Sequence, residues 1–145
     1  MADIYEVLIE EHNKHRGLMG GLGETQGDEA ERRRLFDLLK KELVAHANAE
    51  EQTFYAELIA DSDSQEQARH SIAEHKTIDD IVEELDDMDF SSTGWLTRFK
   101  TLKDKVEHHM EEEEKDVFPV ARTVLSQSKA RDLVGAFEKR KAAEM

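Results

Sequence analysis

Residues 46–50 read His-Ala-Asn-Ala-Glu and residues 109–113 read His-Met-Glu-Glu-Glu, so one HxxxE pattern occurs twice, 63 positions apart (109 − 46). Two further histidines, His12 and His75, are separated by the same 63 positions. Apolar residues around them keep this offset: Leu18 with Ile81, Leu22 with Leu85, Phe36 with Phe99, Leu39 with Leu102, and Leu43 with Val106. The chain therefore contains a repeat that includes both apolar positions and residue types that bind metals.

The repeat predicts a pair of helical hairpins. A period above about 50 residues is longer than the usual solenoid unit, and two copies fit two hairpins better than an array. Within each copy the histidines and apolar residues recur every three or four positions, as on one face of an α-helix. Short connections make consecutive helices antiparallel neighbours. We therefore expect an all-α fold, an up-down-up-down four-helix bundle with a short C-terminal fifth helix.

Cap-forming and turn-forming residues predict where the helices begin and end. The predicted starts lie at or just after Asp3, Asp28, residues 61–64 and residues 91–93. The predicted ends lie within residues 20–27, at about Ile59, near Asp86 and before Pro119, a residue that disfavours helix at the preceding position. The two hairpins then span about 3–60 and 64–120, and the C-terminal helix about 126–142, in a single domain of residues 1–145.

The composition limits the class of protein. Of the 145 residues, 38% are hydrophobic and 37% are charged, with a single proline, which suits amphipathic helices with solvated outer faces. No apolar run approaches the roughly 18 residues of a membrane span, and the N-terminus lacks the basic and apolar regions of a signal peptide. We therefore expect a cytoplasmic protein that does not bind membranes.

The absence of cysteine and the net charge limit the partners. Without cysteine there are no disulfides, iron–sulfur clusters or thiolate zinc sites, so nitrogen and oxygen atoms must bind any metal. The net charge of −14 argues against nucleic acid, whose phosphates are neutralised by lysine and arginine. The same charge favours cations as partners, although it equally suits a role in solubility alone. The sequence names no protein partner.

The repeated histidines and glutamates are candidate metal ligands. His and Glu four residues apart project to the same face of a helix. One HxxxE pair is weak evidence, because glutamate-rich helices produce it by chance. Burying four imidazoles and two carboxylates without a cation, however, would cost several kcal/mol each. We therefore predict six metal ligands: His12, His46, Glu50, His75, His109 and Glu113.

The predicted ligand set indicates the type of centre. Imidazole and carboxylate without sulfur suit iron, manganese, zinc or cobalt, and six ligands are too many for one tetrahedral zinc. They suit two ions bridged by Glu50 and Glu113, with an oxo or hydroxo bridge and up to two positions open for a small molecule. Neither the HExxH of zincins nor the ExxH of ferritin-like bundles occurs, which disfavours both families.

The remaining histidines have open or secondary roles. His15 lies on the inward stripe of the first helix, so it is a fifth histidine ligand, a neighbour that supports the ligands, or a residue of the core. His108 competes with His109, because His108 and Glu112 also form HxxxE, but the 63-residue offset favours His109. His70 has no partner pattern, which indicates a surface or helix-packing position.

Other polar and aromatic residues near the predicted ligands have two interpretations each. Within residues 111–114 we expect only Glu113 to point inward, with neighbours that are solvated or attract cations. Three aromatic residues either line a pocket or belong to the apolar core: Tyr5, Tyr55 and Phe118.

The chain resembles hemerythrin-like, HHE cation-binding domains over almost its full length. The resemblance is carried by Glu11-His12, residues 46–51, Glu74-His75, and residues 109–114 followed by Phe118-Pro119. It implies a non-haem centre of two iron ions bridged by carboxylates inside a four-helix bundle, with O2, NO or peroxide as small-molecule ligand. Classical oxygen carriers have a second histidine one turn from the first on the third helix, where Ser71 and Asp79 flank His75 here, and HxxxxD on the last helix, where this chain has HxxxE.

Three functions are consistent with these residues. The first is a di-iron protein that binds O2, NO or peroxide for sensing, storage or protection from oxidative damage, with zinc or manganese as alternative metals. The second is a di-iron enzyme that decomposes peroxide or oxidises Fe(II), although no general acid or base stands out beyond the ligands. The third is a metal-stabilised interaction module without a redox role.

Overall fold

The computed structural model describes residues 1–27 and 30–145, and all regular secondary structure in these ranges is helical. The elements, in chain order, are α1 (Ile4–Gly23), α2 (Ala30–Gln52), α3 (Phe54–Ile59), α4 (Gln65–Asp87), α5 (Thr93–Glu112), a π-helical turn (Glu113–Val117), α6 (Phe118–Val124) and α7 (Gln127–Glu144). Because α3 extends α2 and α6 extends α5, these elements form four long rods followed by α7. The predicted all-α bundle with a fifth C-terminal helix is confirmed.

The helix starts agree with the cap-forming residues in the described ranges. Asp3 caps α1 by accepting a hydrogen bond from the Glu6 amide at 3.0 Å. Ser64 and Ser92 precede α4 and α5 as predicted. Ser126 caps α7 by accepting from the Lys129 amide at 3.0 Å. The predicted cap Asp28 lies outside the described residues.

The first helix ends within the predicted range. The turn was expected within residues 20–27; α1 ends at Gly23, past Gly20 and Gly21, and within the described residues only Gly27 has a positive φ, 63°. Met19 and Leu22 are fully buried on the inner face of α1. Burial of these two side chains outweighs the roughly 1 kcal/mol by which each glycine disfavours a helix interior.

The prediction that the fourth helix ends before Pro119 is wrong. The chain stays helical to Val124, with Pro119 in the first turn of α6, where its missing N–H is tolerated. The wider π-helical turn immediately before α6 changes the hydrogen-bonding register, so the proline ring does not enter a regular α-helix interior. The helix therefore changes its hydrogen-bonding pattern from Glu113 onward and does not end there.

The buried residues form three layers along the bundle. One apolar cluster includes Met19, Phe36, Ile81, Trp95 and Leu102. A second includes Tyr5, Leu8, Phe54, Phe118 and Phe137. On α1, His12 lies in sequence between Leu8 of the second cluster and Met19 of the first, and on α4, His75 lies between Ala68 and Ile78 in the same way. The polar layer is therefore closed on both sides by apolar side chains.

The C-terminal helix covers one side of the bundle. α7 packs against α1 and α2 and contributes Ala130, Leu133 and Phe137 to the second apolar cluster. None of the described helices combines the length and apolar character needed to cross a membrane.

Candidate metal centre

The six predicted ligands meet in the polar layer. Each is at most 5% exposed, and they come from all four rods. The close approaches are His12 Nε2 to Glu113 Oε1 at 3.0 Å, His75 Nε2 to His109 Nε2 at 3.0 Å, His75 Nε2 to Glu50 Oε1 at 3.2 Å, His46 Nε2 to Glu50 Oε2 at 3.6 Å, and His109 Nε2 to Glu113 Oε2 at 3.8 Å. The 63-residue offset therefore brings together side chains that lie far apart in the sequence.

The ligand atoms fall into two overlapping groups. In each, all atoms lie within 4.8 Å of one another: His12, His46, Glu50 and Glu113 in the first, and His75, His109 and Glu50 in the second. Glu50 belongs to both groups. Glu113 approaches a histidine of each group, one with each carboxylate oxygen. Both glutamates thus lie between the histidines of the two groups.

Several buried ligand atoms have no hydrogen-bond partner. Among the residues that the structure describes, both oxygens of Glu50, one oxygen of Glu113 and Nε2 of His12 make no hydrogen bond although they are fully buried. Such carboxylates cost several kcal/mol unless a cation compensates them. Neighbouring ligands of an octahedral ion at about 2.1 Å lie about 3 Å apart, close to the shortest spacings observed. The nitrogen and oxygen donors therefore fit first-row divalent or trivalent metal ions.

An outer ring of four glutamates orients the histidines. Every ligand histidine donates from Nδ1 to a carboxylate: His46 to Glu11 at 3.2 Å, His75 to Glu51 at 2.7 Å, His109 to Glu74 at 2.8 Å and His12 to Glu114 at 2.7 Å. These hydrogen bonds leave each Nε2 directed into the layer, as in carboxylate–histidine–metal arrangements. The ring has the same repeat, because Glu11 and Glu74, and Glu51 and Glu114, are each 63 positions apart.

The sequence predictions did not assign roles to these outer glutamates. Glu113 is fully buried, as predicted, and Glu114 is 26% exposed but still reaches His12. The sequence did contain a signal for these glutamates, because each one is the sequence neighbour of a predicted ligand. Its partner, however, lies on a different rod, so the pairing follows only from the packing.

The charges of the layer favour protonated histidines when no metal is bound. Burial alone would lower the pKa of His46, but the charge of Glu50 and the hydrogen bond to Glu11 raise it to about 10. Burial opposes protonation of His75 as well, but the carboxylates of Glu50 and Glu51, one beside each ring nitrogen, raise its pKa to about 9. Metal ions must therefore displace protons from these imidazoles.

Both rods that carry HxxxE are irregular next to the site. The break between α2 and α3 lies at Thr53, whose hydroxyl donates to the Ala49 carbonyl at 2.6 Å. The π-helical turn in the other rod includes Asp116, the residue 63 positions later. Irregular helical turns are frequent at functional sites. After the break at Thr53, the buried hydroxyl of Tyr55 donates to Glu113.

A small cavity lies against the ligands on the side of the first apolar cluster. Its volume of about 20 Å³ is close to the space that one water molecule needs. Four ligand imidazoles line it together with His15, Asp79 and the apolar side chains of Leu43, Ala47, Ile78, Val106 and Met110. The cavity suits a molecule of two or three atoms.

The other candidate residues lie around this site. His15 is buried beside His46, with ring centroids 5.0 Å apart. Within the described part of the chain its Nε2 makes no hydrogen bond and lies 3.9 Å from Glu42 Oε2. Burial lowers the pKa of His15 to about 4, so this imidazole is neutral. It lines the cavity and lies outside the two groups that contain Glu50. Tyr5 packs in the apolar core with Phe118, while Tyr55 contacts the site.

The two remaining histidines lie at the surface. The side chains of His70 and His108 are 57% and 68% exposed, which agrees with the surface position expected for His70. His108 points outward and His109 inward, as the 63-residue offset predicts.

Comparisons with known proteins agree with this arrangement. The hemerythrin HHE cation binding domain model matches residues 3–121. The crystal structure of a hemerythrin HHE cation binding domain-containing protein from Mycobacterium kansasii is similar to this chain, with a TM-score of 0.89 and 28% sequence identity, over 99% of this chain and 88% of the other. The search of curated proteins gave no match. The chain therefore belongs to the hemerythrin HHE cation-binding domain family.

Proposed function

We propose that the six buried ligands bind two iron ions, bridged by Glu50 and Glu113, and that this centre binds O2, NO or peroxide. The observation that carries the proposal is the pair of overlapping ligand groups that share Glu50 beside a cavity of about 20 Å³. Bound iron would supply an open coordination position and reversible redox chemistry. The role would be sensing, storage or protection from oxidative damage, in the cytoplasm.

The protein's own residues would control access to this centre. The outer glutamates fix the direction of each imidazole, so the ligand atoms are organised before the metal arrives. The apolar side chains of Leu43, Ile78 and Val106 limit the cavity to small molecules and reduce its water content. Neutral His15 also lines the cavity, and its Nε2, which lies 3.9 Å from Glu42 Oε2, would be available to donate a hydrogen bond to a bound diatomic molecule or peroxide.

Two neighbouring histidines provide a matched experimental test. Protein loaded with iron is titrated with azide, NO and peroxide, and the visible spectrum is recorded for wild type, His109→Ala and His108→Ala. We expect ligand-dependent charge-transfer bands in wild type and His108→Ala, because the side chain of His108 is exposed. His109→Ala should lose iron and these bands. Iron-loaded wild-type protein whose spectrum is the same with and without every added ligand would refute the proposal.

A further inference from the structure

A second group of histidines and glutamates lies on the outer surface of α4 and α5. It consists of two HxxxE pairs, His70 with Glu74 and His108 with Glu112, and we call these four residues the surface cluster. His70 Nε2 lies 3.4 Å from Glu74 Oε2 and 3.3 Å from Glu112 Oε1. His108 Nε2 lies 3.3 Å from Glu112 Oε2 and 3.9 Å from Glu74 Oε2. Both exposed imidazoles therefore face the same two carboxylates.

The spacing within the surface cluster suits a metal ion. The ligand atoms of His70, Glu74 and Glu112 all lie within 4.8 Å of one another, and His108 lies beside this group. The distances around His70 are close to the roughly 3.4 Å between ligand atoms of a tetrahedral ion at about 2.1 Å. Within residues 1–27 and 30–145, no lysine or arginine forms an ion pair with Glu74 or Glu112. A surface cavity of about 580 Å³, lined in part by His70 and Glu112, gives solvent access to the cluster.

The internal repeat allows Glu74 to be compared with the equivalent glutamate of the first half. Glu11, which corresponds to Glu74, also binds a ligand histidine with its carboxylate, and it additionally pairs with Lys141 Nζ at 2.7 Å. Lys141 comes from α7, which packs on α1 and α2. Glu74 accepts a hydrogen bond from His109, but its second oxygen faces the surface cluster and not a lysine. In the first half of the repeat, the Lys141 ammonium pairs with Glu11. In the second half, the imidazoles of His70 and His108 face the equivalent Glu74.

Three residues of the surface cluster have no polar counterpart in the first half of the repeat. His70, His108 and Glu112 correspond by the 63-residue offset to Val7, Ala45 and Ala49, which cannot bind a metal. The repeat that forms the buried centre therefore does not account for these three residues of the surface cluster.

We propose that the surface cluster binds one divalent first-row transition-metal ion. Two imidazoles and two carboxylates, with no sulfur, suit Zn²⁺, Fe²⁺ or Co²⁺ better than the oxygen-only ions Ca²⁺ and Mg²⁺. Glu74 connects the two sites, since one oxygen faces the surface ion and the other accepts from Nδ1 of His109. An ion at the surface withdraws electron density from this hydrogen bond, so its binding changes the spectrum of the buried centre.

Cobalt titration of protein whose buried centre is already loaded tests the proposal. We expect one additional Co²⁺ per chain, with visible absorption typical of a four-coordinate site, and displacement by Zn²⁺. The double variant His70→Ala/His108→Ala should weaken this binding at least tenfold. Glu112→Gln should weaken it as well, whereas Glu111→Gln, the same change at an exposed neighbouring position, should not.

Two results would overturn the proposal. One is loaded wild-type protein that binds no additional Co²⁺. The other is equal Co²⁺ affinity in wild type and the double variant, with circular dichroism showing that both are folded. The same titration in His12→Ala/His46→Ala, which removes ligands of the buried centre, separates the two sites, because surface binding is expected to persist there.

Discussion

The metal-free protein should lose stability as the pH rises from 6.5 to 10. In the folded protein the pKa of His46 is about 10 and that of His75 about 9, because nearby glutamates outweigh the effect of burial. An imidazole whose pKa is raised by folding stabilises the folded state fully below its unfolded pKa of about 6.5. That contribution is lost as the pH rises through the folded-state pKa.

The pKa values set the size of this effect. One pKa unit corresponds to about 1.4 kcal/mol, so the two shifts give upper bounds of roughly 3 and 5 kcal/mol. Both histidines interact with Glu50, so their contributions are not additive. We expect a total loss of about 3 to 5 kcal/mol, a large fraction of the 5–15 kcal/mol typical of a folded domain.

Urea unfolding of metal-free protein at pH 6, 8 and 10 measures this loss. The metal-loaded protein is the control, because metal ions have already displaced these protons and its stability should depend much less on pH over the same range. Metal affinity should increase over this range as fewer protons compete. A metal-free stability that is constant or increases from pH 6.5 to 10 would refute the electrostatic description of the buried layer.

Three substitutions test other parts of the site. Glu51→Gln should lower metal affinity 10- to 100-fold by removing an outer carboxylate, measured by competition with a chelator, with exposed Glu111→Gln as control. Tyr55→Phe should keep the fold but cost about 1–2 kcal/mol in urea unfolding and shift the visible spectrum, because the Glu113 carboxylate loses its hydrogen-bond donor. Phe137→Ala should cost about 3–5 kcal/mol, because this fully packed ring of α7 contacts a ligand histidine; an unchanged unfolding midpoint would contradict the role of α7.

The sequence alone was sufficient to predict the fold and to predict that the six candidate ligands lie close together. The reason is physical: an HxxxE pair has only one geometry on a helix, and two pairs in one repeat must reach the same level of an antiparallel bundle. His108 and His109 illustrate this, because a one-residue shift rotates the side chain from the buried layer to the surface.

Features that depend on contacts between rods were not predictable in this way. Glu51 and Glu114 are ordinary polar helix positions until the packing places a histidine of another rod beside them. The continuation of the last rod through Pro119 depends on a π-helical turn that local propensities do not indicate. Lys141 reaches the outer ring only because α7 folds back on α1 and α2.

Metal content per chain, read together with the visible spectrum, is the most direct test of a two-ion centre. Protein expressed without added metal should contain about two irons per chain and show charge-transfer bands of a bridged ferric pair, as expected for two ligand groups that share Glu50. Both properties should be lost in Glu50→Ala. A single zinc per chain with a featureless visible spectrum would contradict the proposed centre and favour a structural role for the metal.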